Sequence, residues 1–60
     1  MFSVVARESD GDEWVVDPAA DREFAVGLAT GLASLCRAKG RTYEVRDSDG
    51  HTVVEVEVPS

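Results

Sequence analysis

The sequence predicts a small α+β domain of order ββαββ: one mainly antiparallel four-stranded sheet with a single helix packed on one face. Three observations predict it. Two Asp-Gly turns are each flanked by β-prone runs, an amphipathic helical stretch separates the two hairpins, and valine alternates with glutamate near the C-terminal end.

Met1–Arg7 is rich in Val and Phe, and Glu13–Val16 is a second β-prone run. Ser9-Asp10-Gly11-Asp12 lies between them, and Asp-Gly in that setting marks a hairpin. Phe2, Val4 and Ala6 then share one face, as do Trp14 and Val16. Asp17-Pro18 is expected to stop the strand. Either Asp17 caps a helix with Pro18 in its first position, or the helix starts at Asp21 after a turn.

From there to Lys39 the pattern is helical. Phe24, Leu28, Leu32 and Leu35 recur at helical spacing, with Ala25, Ala29 and Cys36 beside them. Asp17, Asp21 and Glu23 suit the positive end of the helix dipole and Arg37 and Lys39 the negative end, with Gly40 as a left-handed cap. Arg41–Arg46 and Thr52–Val58 form the second hairpin about Asp47-Ser48-Asp49-Gly50. Tyr43 and Val45 face inward, as do Val54, Val56 and Val58. The pattern leaves strand order open, although the order 2-1-4-3 is one that we expect to be antiparallel throughout.

The 60 residues form one domain without repeat or linker, beginning at Met1 as a complete gene product would. A domain this small buries only about 60% of the surface its unfolded chain exposes. Cys36 and His51 are the only residues of their types, so neither an internal disulfide nor a four-ligand zinc site can form. Nothing approaches the roughly 20 apolar residues of a membrane span, and Met1–Ala6 lacks the leader and cleavage site of a signal peptide. A reducing, cytoplasmic setting is expected.

Twelve acids against six bases give a net charge of −6. Lys39 is the single lysine against five arginines, and Ile, Asn and Gln do not occur. That usage fits a GC-rich genome and, with the acid excess, a halophilic, salt-adapted proteome. In such a proteome acidity is background and identifies no partner.

No catalytic constellation emerges. Cys36 falls on the apolar flank of the helix and His51 beside a turn, so a thiol and its base do not meet. There is no phosphate loop or nucleophile elbow, and the chain is read as no enzyme. A calcium loop with Gly50 at its sixth position would put Val45 and Val56 at ligand positions, and it fails. No cofactor and no metal is expected.

Two surfaces stand out. Gly27, Gly31, Ser34 and Ala38 place small residues along one side of the helix, for close packing either on the chain's own sheet or on another helix. A sheet about 19 Å wide cannot be covered by one helix about 10–12 Å across. Trp14 and the small-residue stripe are therefore the expected interface with a second copy or a protein partner, with Val5, Val15 and Val53 on the other sheet face also considered. The second surface is Arg37, Lys39, Arg41 and Arg46, which would suit nucleic acid, with Tyr43 nearby. Dipole complementation by Arg37 and Lys39, and pairing of Arg46 with Glu55 or Glu57, explain the same charges. The acidic run Glu8, Asp10, Asp12, Glu13 and Asp17 also admits a nucleic-acid-mimic inhibitor. The leading expectation is a homodimeric protein-interaction module.

Overall fold

The computed structural model describes residues 1–59, the Ala19 side chain excepted. Its elements are β1 (Phe2–Arg7), β2 (Glu13–Ala20), α1 (Arg22–Leu35), β3 (Thr42–Arg46) and β4 (Thr52–Glu57). They form the expected ββαββ order, with one antiparallel sheet in the order β2-β1-β3-β4 and the helix on one face.

The strand order that the sequence leaves open is therefore 2-1-3-4, and 2-1-4-3 would not have been antiparallel throughout as expected; the length of the helix explains why. Its 14 residues span about 21 Å, close to the length of a six-residue strand. α1 thus carries the chain back from the end of β2 to the opposite end of the sheet. β3 then runs antiparallel to β1 and pairs with it, whereas β4 beside β1 would run parallel to it.

Both hairpins turn as expected, with Gly11 at φ 99° and Gly50 at φ 86°. The Asp47 Oδ1 accepts the backbone N–H groups of Asp49 and His51, both at 2.9 Å. Asp17-Pro18 does not end the second strand, which continues to Ala20. β2 is an edge strand whose register shifts on either side of Val4, and a proline without an N–H is tolerated at such an irregular edge.

The helix starts at the second of the two expected positions. Asp21 caps it by accepting the Phe24 N–H at 2.7 Å, and Glu23 lies in the first turn. It ends at Leu35, a full turn earlier than the pattern suggests, and Cys36 is already extended. The Cys36 Sγ accepts the Ala38 N–H at 3.3 Å, which offers the backbone a local alternative to helix. Gly40 is left-handed at φ 82°, but in the turn into β3 rather than as a helix cap. Arg37 and Lys39 lie beyond the last turn, and Asp17 is in β2, so none of the three sits at a helix terminus as expected.

The inward faces follow the predicted alternation: Val4, Ala6, Tyr43, Val45 and Val58 are buried. The helix contributes a different seam. Ala25, Ala29 and Ala33 are its buried residues, while Leu28, Leu32 and Cys36 pack beside them and Phe24 and Leu35 point away. Alanine lets the helix axis sit close to Tyr43 and Val45. α1 packs chiefly on β3, then on β1 and β4, and least on β2. The strand that one helix leaves uncovered is β2.

Candidate functional site

The two faces of the sheet are finished differently. On the face away from the helix, six polar side chains cross all four strands. The Glu44 carboxylate lies at the centre, 1% exposed. Its Oε1 accepts from the Thr52 hydroxyl at 2.8 Å and from Arg46 at 3.3 Å, and its Oε2 is 2.8 Å from Arg7 Nη1. Arg46 reaches on to Glu13 at 3.2 Å and Arg7 to Glu55 at 3.5 Å. Burial alone would raise the Glu44 pKa. The Thr52 hydroxyl and the Arg46 and Arg7 guanidinium groups outweigh it and hold the carboxyl below its ordinary value. Val5, between Val15 and Glu44 in register, is buried beneath this roof, while Val15 and Val53 remain exposed. Arg46 thus pairs with Glu44 and Glu13, not with Glu55 or Glu57, because its nearest acids lie on its own strand and on β2.

The four expected cations do not form one patch. Arg41 pairs with Glu8, lies 3.3 Å from the Tyr43 hydroxyl, and stacks over the Trp14 ring at 4.9 Å from its centroid. Arg46 belongs to the opposite face. Of these four, only Arg37 and Lys39 make no ion pair among the described residues, and they rim an open groove of about 440 Å³ lined also by Ser34, Cys36, Val58 and Pro59. The Cys36 thiol accepts from the Ala38 N–H and lies near Tyr43 and Arg41, which hold its pKa below the ordinary thiol value despite partial burial. His51 stands far out in solvent, its Nδ1 3.9 Å from Asp47. The Asp47, Asp49 and His51 donor atoms lie within 4.8 Å of one another, but the Asp47 Oδ1 is committed to the turn backbone.

The helix side presents the other surface. Phe24 is 57% exposed, Leu35 83% and Trp14 43%, with Val16 also exposed. The opposite flank of α1 faces β4, since Thr30, Ala33 and Ser34 share a groove with Val56 and Glu57. The Phe24–Leu28–Leu35 flank therefore faces β2, the strand left uncovered. Because α1 and β2 run antiparallel, Phe24 lies towards the Ala20 end and Leu35 towards Trp14. A Cβ built on Gly27 or on Gly31 meets no atom within 4 Å. The glycines thus do not serve close packing of the helix on its own sheet. Ser34 is exposed and Ala38 half-buried. Phe24, Leu35 and Val16 were not singled out from sequence as surface residues, because apolar periodicity reads every large side chain on a helix as core.

No family profile, curated protein or solved structure matches the chain. Among the described residues, no helix is long and apolar enough to cross a membrane.

Proposed function

We propose that the chain is a non-enzymatic binding module that self-associates through the outer side of α1 and the uncovered strip of β2, in the cytoplasm of a salt-adapted or GC-rich organism. The observation that carries this reading is the exposure of Phe24 and Leu35 on α1 and of Trp14 and Val16 on β2, the strand that the helix covers least, together with two helix-interior glycines with open space around them. Contiguous exposed apolar surface on a small domain marks an interaction site, and each interior glycine costs about 1 kcal/mol relative to alanine. Nothing among the described residues packs against either glycine to offset that cost, whereas a docked neighbour would.

The alternative of nucleic-acid binding reduces to Arg37 and Lys39, since Arg41 and Arg46 are held by carboxylates of the same chain. Two cations on a chain of net charge −6 are a weak electrostatic footprint.

Light scattering at low and near-saturating KCl tests the proposal. A molar mass of twice the 6.5 kDa chain mass is expected at high salt. A single-chain mass at every salt and at millimolar protein would overturn it.

A further inference from the structure

Granting self-association, the seam on α1 defines how the second copy docks. Phe24, Leu28, Gly31 and Leu35 recur at spacings of four, three and four, the period of a coiled-coil seam. That spacing reads the same in both directions about the midpoint between Ala29 and Thr30. It is therefore compatible with a two-fold axis at that point, perpendicular to the helix.

We infer that a second copy of the chain packs its helix antiparallel to the first about this axis, Phe24 against the partner's Leu35 and Leu28 in the space above the partner's Gly31. Size complementarity is the first support. The largest side chain of the seam meets the most exposed one, and a leucine meets the glycine whose surroundings are open. Phe24 and Leu35 at opposite ends then bury each other twice, once on each side of the axis. Gly27, small and exposed beside the seam, allows the backbones to approach.

Charge is the second support, and it selects the direction. The helix start carries Asp21 and Glu23 with Arg22 between them, two acids against one base, while the exit from the helix carries only bases, Arg37 and Lys39. Arg22, Glu23, Arg37 and Lys39 make no ion pair among the described residues, in contrast to Arg7, Arg41 and Arg46. An antiparallel pair sets the acidic start of one helix beside the basic exit of the other and opposes the two helix dipoles. A parallel pair would juxtapose acid with acid and base with base. A standard interface buries about 800 Å² per partner, roughly a fifth of the 3878 Å² surface of this chain. The seam carries Phe24 and Leu35, the two most exposed large apolar side chains of the helix, and Trp14 and Val16 are exposed on the strand that its flank faces.

Cysteine trapping tests the register. In a Cys36→Ser background, chains carrying Phe24→Cys are mixed with chains carrying Leu35→Cys and oxidised at a concentration where the parent is dimeric. Both positions are exposed, so neither change threatens the fold. The mixture is expected to form disulfide-linked dimers at least tenfold faster than either variant alone. Equal or faster self-linking of the separate variants would overturn the antiparallel register while leaving the dimer intact. A second readout avoids new thiols: Glu23→Lys should weaken association about tenfold, and adding Arg37→Glu should restore it. Failure of that rescue in a chain that still dimerises would count against the charge pairing. A parent that is monomeric throughout would overturn the proposed function and this geometry together.

Discussion

Arg41 lies over the Trp14 ring, 4.9 Å from its centroid, and in doing so joins the start of β3 to the outermost strand. The same guanidinium contacts Glu8, Tyr43 and the Cys36 Sγ, the last at 3.5 Å. One side chain thus ties the β1–β2 turn, the helix exit and the uncovered strip of β2 to each other.

Arg41→Gln should release Trp14. Removing the cation takes away the stacking partner and leaves the indole more hydrated. We expect the tryptophan emission maximum to move to longer wavelength and iodide quenching to increase. Arg41→Lys should shift the emission less, because a point charge stacks on an aromatic face less well than a planar guanidinium. An unchanged spectrum in Arg41→Gln would mean that the ring is held by β2 alone.

Cys36 should alkylate as a thiol of lowered pKa. The Ala38 N–H and the nearby Tyr43 and Arg41 favour the thiolate, so the rate with iodoacetamide should rise at lower pH than for a free cysteine, about 8.5. In Arg41→Gln the inflection should move up. An inflection at or above the free-cysteine value in the parent would contradict the geometry at the helix exit.

The glycines of α1 separate folding from assembly. Neither Gly27 nor Gly31 has a positive φ, and neither has a neighbour within 4 Å of a built Cβ. Gly31→Ala should therefore raise thermal stability, by about 1 kcal/mol if the chain were monomeric. Gly31→Leu should fold and yet lower the molar mass in light scattering, because it fills the space that the partner's Leu28 would occupy. Trp14→Ala should weaken association in the same assay. If Gly31→Leu retains the parent's mass and salt dependence, the interface lies elsewhere.

Glu44 sets an acid limit on stability. Its carboxyl is held below its ordinary value in the fold, so its contribution is complete above the unfolded pKa of about 4.3 and is lost as pH falls through the lower folded value. Glu44→Ala should cost about 2–3 kcal/mol at pH 7, since it removes the acceptor of the Thr52 hydroxyl and the shared partner of Arg7 and Arg46. In urea titrations the gap between the parent and Glu44→Gln should be widest at neutral pH and narrow below about pH 4. A gap independent of pH would mean that the charge of Glu44 contributes nothing.

The elements were largely legible in the sequence because local signals agreed. The two Asp-Gly turns, the valine alternation and the Asp21 cap each specify their segment without reference to the rest of the chain. Strand order was not legible, since it depends on where the helix delivers the chain, and that follows from its true length. The helix boundary itself was misread: Arg37 and Lys39 look like a basic last turn, whereas the Cys36 Sγ takes the Ala38 N–H and the backbone is already extended. The inward seam was misread for a related reason. Large residues draw attention to Phe24 and Leu35, but the face that fits closest to a sheet is the one built from Ala25, Ala29 and Ala33. Glu44 was the least visible. It alternates with Tyr43 and Val45 like a solvent residue, and only the register brings Arg7, Arg46 and Thr52 around it.

The Glu44 network also bears on how far the proposed assembly would proceed. Two bare apolar faces on one small domain would permit stacking without limit, each copy burying one face and offering the other. Here the second face is capped by Glu13, Arg46, Glu44, Arg7 and Glu55. A sheet laid upon it would have to strip water from the half-exposed Arg7, Glu13 and Glu55, at a cost of several kcal/mol per ion. For the self-association proposed above, a charged centre on this face would disfavour stacking beyond a pair.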